Sequence, residues 1–351
     1  MADELNLKKT RTRIDRLDSE IMKLLNERME LALETSKFKG EVEDSKREEE
    51  VLAHVQRAPE LIRGEFSEKL FKEILHQSKK IQKQKSALAG FQGEHGAYSE
   101  MAAKKLPDAV PIPCTTFIDV FEGVRGGRFD YGVVPVDNSL GGSVTEVNDL
   151  LVETDLYVVA EVALPIRHCL LVPPETDYRE IRIVYSHPQA LSQCRGFLQR
   201  NKLEPRPYYD TAGAARMIAR ETPKAAAAIA NRLSAELYGL EIIKENIEDH
   251  NSNITRFFVL AREKSTTGNK CSIVFSTAHK AGALFEVLRV FAEAKINLTR
   301  IESRPVAKDP GKFAFIVDLE GSETEERVAT ALEKVKVNCE RFRLLGCYKT
   351  L

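Results

Sequence analysis

Apolar residues near the N-terminus recur at alternating steps of three and four: Ile14, Leu17, Ile21, Leu24, Leu31 and Phe38, with Arg28 and Thr35 in the same series. That spacing predicts a long helix with one apolar stripe. Residues 1 to about 86 contain a single proline, Pro59, and are dense in Leu, Lys, Arg and Glu, so the whole segment reads as helical. A second helix is expected from near Ser45, with Val51 and Val55 on one side. A third carries Leu70, Phe71, Ile74, Ser78, Ile81 and Gln82 on one face. From Leu88 the texture changes to short β-rich runs, glycine turns and helical stretches, the signature of α/β alternation over residues 88–263. The polar run 263–269 reads as a linker. Residues 270–351 then predict strand 271–277, helix 283–294, strand 298–304, strand 313–319, helix 323–335 and strand 341–348. That order, βαββαβ, is a ferredoxin-like layer of helices on an antiparallel sheet.

The stripe of the first helix carries cations where a packed seam should be apolar. One step of three back from Ile14 lies Arg11, Arg28 sits inside the series, and Lys39 continues the neighbouring Leu25–Ala32 row. A cation on such a seam is costly unless an anion meets it. An ordinary coiled coil with polar residues that set register, or arginines that snorkel to solvent, accounts for one such residue; three together favour an anion site. Arg11 and Arg28 are seventeen residues apart, about 25 Å along a helix. Either there are two sites, or Arg11 enters the site of a second chain. Asp44, Arg47 and Glu48 fall within one turn, and Ser78 and Gln82 lie one turn apart.

In the α/β segment three strand–turn–helix junctions offer backbone N–H groups suited to carboxylates or phosphates. They are Gly93–Ser99, Asp137–Ser143 and Ser186–Gln189 with Gln193 beyond it. None is a P-loop or a dinucleotide fingerprint, and any α/β fold needs such turns. The run Asn251-Ser252-Asn253-Ile254-Thr255-Arg256-Phe257 leads into a strand.

Composition narrows the function classes. A formal charge of -1 with 30% charged residues argues against nucleic acid as a partner. Six widely spaced cysteines without a CxxC pair read as reduced thiols, and seven histidines without HExxH spacing give no metal site. No cofactor is expected. With no apolar signal core and no bilayer-length apolar stretch, the expectation is a soluble cytoplasmic chain.

Taken together, Arg11, Arg28, Lys39, Asp44, Arg47, Glu48, Ser78 and Gln82 resemble the site of the all-helical AroQ class of chorismate mutases, over residues 5–84. That resemblance implies an intertwined dimer. Arg11 of a second chain, Arg28 and Arg47 would hold the carboxylates of chorismate. Lys39 and Gln82 would donate to the ether oxygen, and Asp44, Glu48 and Ser78 would contact the hydroxyl or steady the rest. Residues 89–262 resemble prephenate dehydratases through Gly96-Ala97-Tyr98-Ser99, Asn138-Ser139, Tyr185–Gln189 with Gln193, and Thr255-Arg256-Phe257. Two α/β lobes around a cleft, similar to type 2 periplasmic binding proteins, are implied. Thr255 would donate to the leaving hydroxyl, while Asn138, Ser186, Gln193 and Arg256 would orient prephenate. Asp137 stands where that family usually has glutamate. Residues 270–349 resemble an ACT domain, with Gly282-Ala283-Leu284 and Glu302-Ser303-Arg304-Pro305 implying an L-phenylalanine site at a subunit interface. The expected organisation is therefore a mutase at 1–86, a dehydratase at 88–263 and an effector domain at 270–351, in a homodimer or dimer of dimers. An arogenate dehydratase and a ligand-responsive binding protein are the alternatives. The first sits poorly with a mutase whose product is prephenate, and the second leaves Arg11, Arg28, Lys39 and Gln82 unexplained. A DNA-binding regulator lacks a recognition-helix module.

Overall fold

The computed structural model describes residues 2–40, 42–57, 61–265, 267–306 and 312–351. Pro59 and Thr266 of the expected linker lie outside the described residues. The chain divides into two compact units, 1–88 and 89–351.

The first unit is three helices: α1 (Ala2–Ser36), α2 (Ser45–Val55) and α3 (Gly64–Lys83). Asp44 caps α2 by accepting from the Arg47 N–H, which satisfies one of the orphan donors of the first turn. α1 packs on α3, and α2 on α3. The core is small. Among the described residues of the helices only Leu33 and Ile74 are buried apolar side chains, whereas Ile14, Leu17, Ile21, Leu24 and Leu31 are all at least half exposed. The apolar stripe predicted from the sequence is thus present but has nothing of its own unit to pack on.

The second unit is an α/β assembly that opens with β1 (Ala87–Gln92), α4 (Tyr98–Ala103), β2 (Ala109–Cys114), α5 (Phe117–Arg125), β3 (Tyr131–Asn138), β4 (Gly142–Ser143), α6 (Thr145–Glu153) and β5 (Tyr157–Pro165). The chain then crosses to a second lobe: β6 (Cys169–Val172), β7 (Ile183–Ser186), α7 (Pro188–Gln193), α8 (Arg195–Arg200), β8 (Glu204–Pro207), α9 (Thr211–Glu221), β9 (Ala226–Ala230), α10 (Arg232–Tyr238) and β10 (Glu241–Lys244). It returns through β11 (Ile254–Ala261) to the first lobe. The second lobe has its own five-stranded sheet, β10-β6-β9-β7-β8. Two crossings of the chain therefore separate two lobes with distinct cores. One is built on Phe91, Val133, Leu164 and Phe257; the second lobe has two clusters, around Leu171 and Ile218 and around Val184 and Ile229.

The C-terminal part runs β12 (Lys270–Ser276), α11 (Ala283–Glu293), β13 (Leu298–Pro305), β14 (Phe313–Glu320), α12 (Glu326–Val337) and β15 (Arg341–Thr350). This is the βαββαβ order that the sequence predicts, with strand order β13-β14-β12-β15. β15 extends past that sheet to pair in parallel with β5, Lys349 against Ala160, so one ten-stranded sheet joins the first lobe to the C-terminal layer.

One expectation is corrected here. Cys271 and Cys347 form a disulfide. They lie 76 residues apart in sequence, but they are register partners on β12 and β15 with Cα atoms 4.1 Å apart. Directly opposed residues of an antiparallel pair can approach this closely, which spacing along the chain does not reveal. The other four cysteines are free.

Candidate active sites

In the helical unit, hydrogen bonds tie together most of the residues singled out in the sequence. Arg28 on α1 donates through Nη1 to Ser78 Oγ at 2.7 Å, and Ser78 in turn donates to the Ile74 carbonyl. One turn further along α3, Gln82 Nε2 donates to the Ala32 carbonyl at 2.5 Å. Glu48 on α2 accepts twice, at 3.0 Å, from Lys79 Nζ. The expected helical row through Lys39 is not present, because α1 ends at Ser36. Lys39 instead follows that end and reaches Asp44 Oδ2 at 3.0 Å. The Arg47 N–H, and then Lys39, hold the Asp44 carboxyl below its ordinary pKa. Burial lowers the pKa of Arg28. The Arg47 guanidinium pairs with Glu50 at the surface. Arg11 is exposed on the far part of α1. Lys79, beside Ser78 on a face rich in lysine, gave no signal in the sequence.

In the α/β unit, β3 and β11 pair antiparallel with Thr255 opposite Asn138 and Arg256 opposite Asp137. Neighbours on a strand point to opposite faces, and the chemistry divides accordingly. On one face Asn138 Nδ2 donates to Thr255 Oγ1 at 2.8 Å and to Asn253 Oδ1 at 2.6 Å, while its own Oδ1 accepts from the Leu140 and Gly141 N–H groups. On the other face Arg256, expected to orient substrate, is instead engaged by three carboxylates. Its Nη2 meets Asp137 at 2.5 Å and Asp318 at 3.0 Å, and its Nη1 meets Glu161 at 3.0 Å. Burial works against the Arg256 charge, yet the bond to Asp137 and the charges of Asp318, Asp137 and Glu161 outweigh it and raise its pKa. Asp318 lies on β14, so this cluster binds the first lobe to the C-terminal layer. The Asp137 carboxylate faces Arg256 and, at 3.4 Å, Arg300 on β13.

Ser186 and Gln193 belong to the second lobe. Ser186 is fully buried and donates to the Ile229 carbonyl at 2.6 Å. Gln193 ends α7, its Oε1 2.9 Å from His168 Nε2. His168, in the first crossing, is buried, and that burial lowers its pKa against the pull of Gln193 and Glu248. The loop after Asn138 closes on this lobe: a Cβ on Gly141 would stand 2.0 Å from Gln189 Nε2. Near the first anion loop, Glu100 is buried. Burial opposes its charge, but bonds with His95, the Gly96 N–H and Lys104 prevail and bring its pKa to about 2.

At the C-terminal layer, Gly282 takes the left-handed conformation, φ +83°, at the start of α11, a geometry that favours glycine. Ala283 follows as the first residue of α11, and Leu284 packs on the core. Glu302, Ser303, Arg304 and Pro305 close β13. Arg304 makes a two-pronged bond to Asp149 on α6, 2.6 and 3.0 Å, and Arg300 donates to Asn148 Oδ1 at 2.5 Å. The strand carrying the effector motif thus grips the helix that follows the Asn138 loop. His168, Asn253, Asp149, Arg300 and Asp318 were not singled out as site residues from the sequence. No group of His, Cys, Asp and Glu among the described residues is arranged to hold a metal ion, and no helix there is long and apolar enough to cross a membrane.

Family models for chorismate mutase type II, prephenate dehydratase and the ACT domain match residues 10–83, 89–265 and 272–337. The chain belongs to the family of bifunctional chorismate mutase/prephenate dehydratases with an ACT domain. It is 36% identical over 357 residues to the bifunctional chorismate mutase/prephenate dehydratase of Aquifex aeolicus, with 97% of each chain covered. It is 43% identical over 272 residues to arogenate dehydratase/prephenate dehydratase 2 of Arabidopsis thaliana, covering 74% of this chain and 71% of the relative. The solved structure of prephenate dehydratase in complex with L-Phe from Arthrobacter aurescens superposes with a TM-score of 0.70 at 32% identity, over 75% of this chain and 90% of that one.

Proposed function

We propose that the helical unit rearranges chorismate to prephenate, that the bilobal unit converts prephenate to phenylpyruvate, and that L-phenylalanine restrains the pathway through the C-terminal layer. The observation that carries this reading is the pairing of Asn138 with Thr255 beneath loops contributed by both lobes, in a chain that matches a bifunctional relative from end to end.

For the rearrangement no nucleophile is required. Arg28 and Arg47, with Arg11 of a second chain, hold the two carboxylates. Lys39 and Gln82 face the ether oxygen, where negative charge grows as the C–O bond breaks. Catalysis then rests on fixing a compact conformer and on preorganised donors. Asp44, Glu48 and Ser78 steady that set; their bonds to Lys39, Lys79 and Arg28 support this role.

In the dehydration the electron pair of the breaking C–CO2 bond moves into the ring, and the ring hydroxyl departs and leaves as water with a proton. Aromatisation drives the step, so the protein has to help a poor leaving group. Thr255 donates a hydrogen bond to that oxygen, and Ser186 and Gln193 orient prephenate. Asn138, expected to do the same, has its amide engaged by Thr255, Asn253 and the Leu140 and Gly141 N–H groups, which supports a hold on Thr255 instead. The grip of three carboxylates on Arg256 supports a tie to the C-terminal layer more than a substrate contact.

A homodimer completes the reading, supported by the exposed stripe on α1 and by the distance of Arg11 from the other mutase residues. The segments 282–284 and 302–305 take the effector, and the setting is cytoplasmic, with four cysteines free beside the buried Cys271–Cys347 disulfide. The Arabidopsis relative makes L-arogenate the competing substrate; a mutase unit that delivers prephenate favours prephenate.

The test is a UV assay on the purified chain given chorismate, with and without L-phenylalanine, and then prephenate or L-arogenate alone. Phenylpyruvate formation suppressed by phenylalanine is the expected result. Prephenate that accumulates, with turnover only of arogenate, would overturn the substrate assignment; no consumption of chorismate would overturn the mutase.

A further inference from the structure

Asn253 sits in the second crossing between the lobes, fully buried, immediately before β11. Its backbone carbonyl accepts from the Ile166 N–H at 2.8 Å, which anchors it to the end of β5. Its side chain meets Asn138, and the orientation of that contact follows from the backbone. The Leu140 and Gly141 N–H groups, at 3.0 and 2.7 Å, can bond only to an oxygen, so the Asn138 Oδ1 faces them and its NH2 faces inward. That NH2 has two hydrogens and two near acceptors, Asn253 Oδ1 at 2.6 Å and Thr255 Oγ1 at 2.8 Å; the Ile254 carbonyl is further, at 3.3 Å. Thr255 Oγ1 therefore acts as an acceptor towards Asn138, and its own hydrogen remains available to a third group.

The Nδ2 of Asn253 finds no acceptor among the described residues. A buried donor without a partner is unfavourable, whereas an apolar side chain of the same shape avoids that cost. What the amide supplies at this position is its oxygen.

We propose that Asn253 is a positioning residue for the dehydration: its Oδ1 holds one hydrogen of the Asn138 amide, so that the other is aimed at Thr255 Oγ1 and the Thr255 hydroxyl hydrogen is presented to the leaving oxygen. The proposal rests on the reading of Thr255 given above. It gives the crossing between the lobes a hold on the Thr255 hydroxyl that is relayed through the Asn138 amide.

The experiment uses the full-length protein with prephenate as substrate. Asn253→Ala is expected to lower kcat about 10- to 100-fold with KM nearly unchanged, since the alignment matters in the transition state. Asn253→Asp keeps the acceptor and should recover most of kcat. In an Asn138→Ala background, Asn253→Ala should add little further loss, because both act on one hydroxyl. Should the alanine variant fail to fold, Asn253→Leu, which fills the space without an acceptor, is expected to show the same loss of kcat. Wild-type kcat in the alanine or leucine variant overturns the proposal, as does an aspartate variant no better than alanine or full additivity with Asn138→Ala. If Thr255→Ala itself dehydrates prephenate normally, the Thr255 reading fails first; Thr255→Ala inactive beside a normal Asn253→Ala removes Asn253 alone.

Discussion

The helical unit and the α/β unit of this chain carry candidate sites for small dicarboxylates that are built with opposite resources. The α/β unit buries its candidate site within one chain: Asn138, Thr255 and Ser186 are all under a tenth exposed, and the residues that hold them are supplied by neighbouring strands and the two crossings. Among the described residues, the three helices bury only the apolar side chains Leu33 and Ile74 and leave a stripe from Ile14 to Leu31 largely in solvent. Apolar burial is worth about 25 cal/mol per Å², so a helix of 35 residues with its stripe exposed forgoes most of the stabilisation that α1 could gain. The difference teaches where each activity can be broken. One candidate site depends on strand register inside a chain, the other, on the reading proposed above, on a surface that a second copy would complete.

The sharpest break is Thr255→Ala. It should reduce phenylpyruvate formation by about 10²–10⁴-fold while chorismate continues to be consumed; equal loss of both activities in a folded protein would contradict two separate sites. Lys39→Ala should cost the mutase about 10²–10³-fold and spare turnover of added prephenate. An unimpaired mutase would remove Lys39 from the ether oxygen. Charges placed on the stripe, Leu17→Glu with Ile21→Glu, should lower mutase activity at least about 10-fold through loss of association, with the dehydratase active on prephenate. Sedimentation that shows an unchanged assembly beside a lost mutase would sever the link between the stripe and the site.

The smallest effect concerns stability. Glu100 has its folded pKa depressed to about 2 from an ordinary 4.5, so its contribution is complete above pH 4.5 and is lost as pH falls towards 2. Glu100→Gln should therefore destabilise the dehydratase at pH 7 by about 1–3 kcal/mol, and the gap between variant and parent should narrow below pH 4.5. Urea melts across that range would show it; a gap that stays constant with pH would mean the carboxylate charge is not what stabilises.

Much of the candidate site was legible because its signals are local. Asn138, Ser186 and Thr255 all sit at strand ends, where a strand run and the turn beside it can be read from a few residues. Lys39 was misread as part of a helical row because the end of α1 at Ser36 carries no glycine or proline signal. Arg256 was grouped with Thr255 by motif, although a period of two places strand neighbours on opposite faces; the structure fills the second face with Asp137, Glu161 and Asp318. Asn253 was visible in its run but without a role, since only its contact with Asn138 gives it one.

By itself the sequence determined the helical, α/β and βαββαβ parts, the apolar stripe of α1 and the loops that carry the candidate chemistry, because periodicity and turn chemistry act over a few residues. The tertiary structure decided what stands opposite what: Asn138 against Thr255, Cys271 against Cys347, Arg256 against a carboxylate from a strand more than sixty residues away. Those pairings are set by strand register and by which faces pack together, quantities that depend on the whole chain and leave no mark in any short window of it.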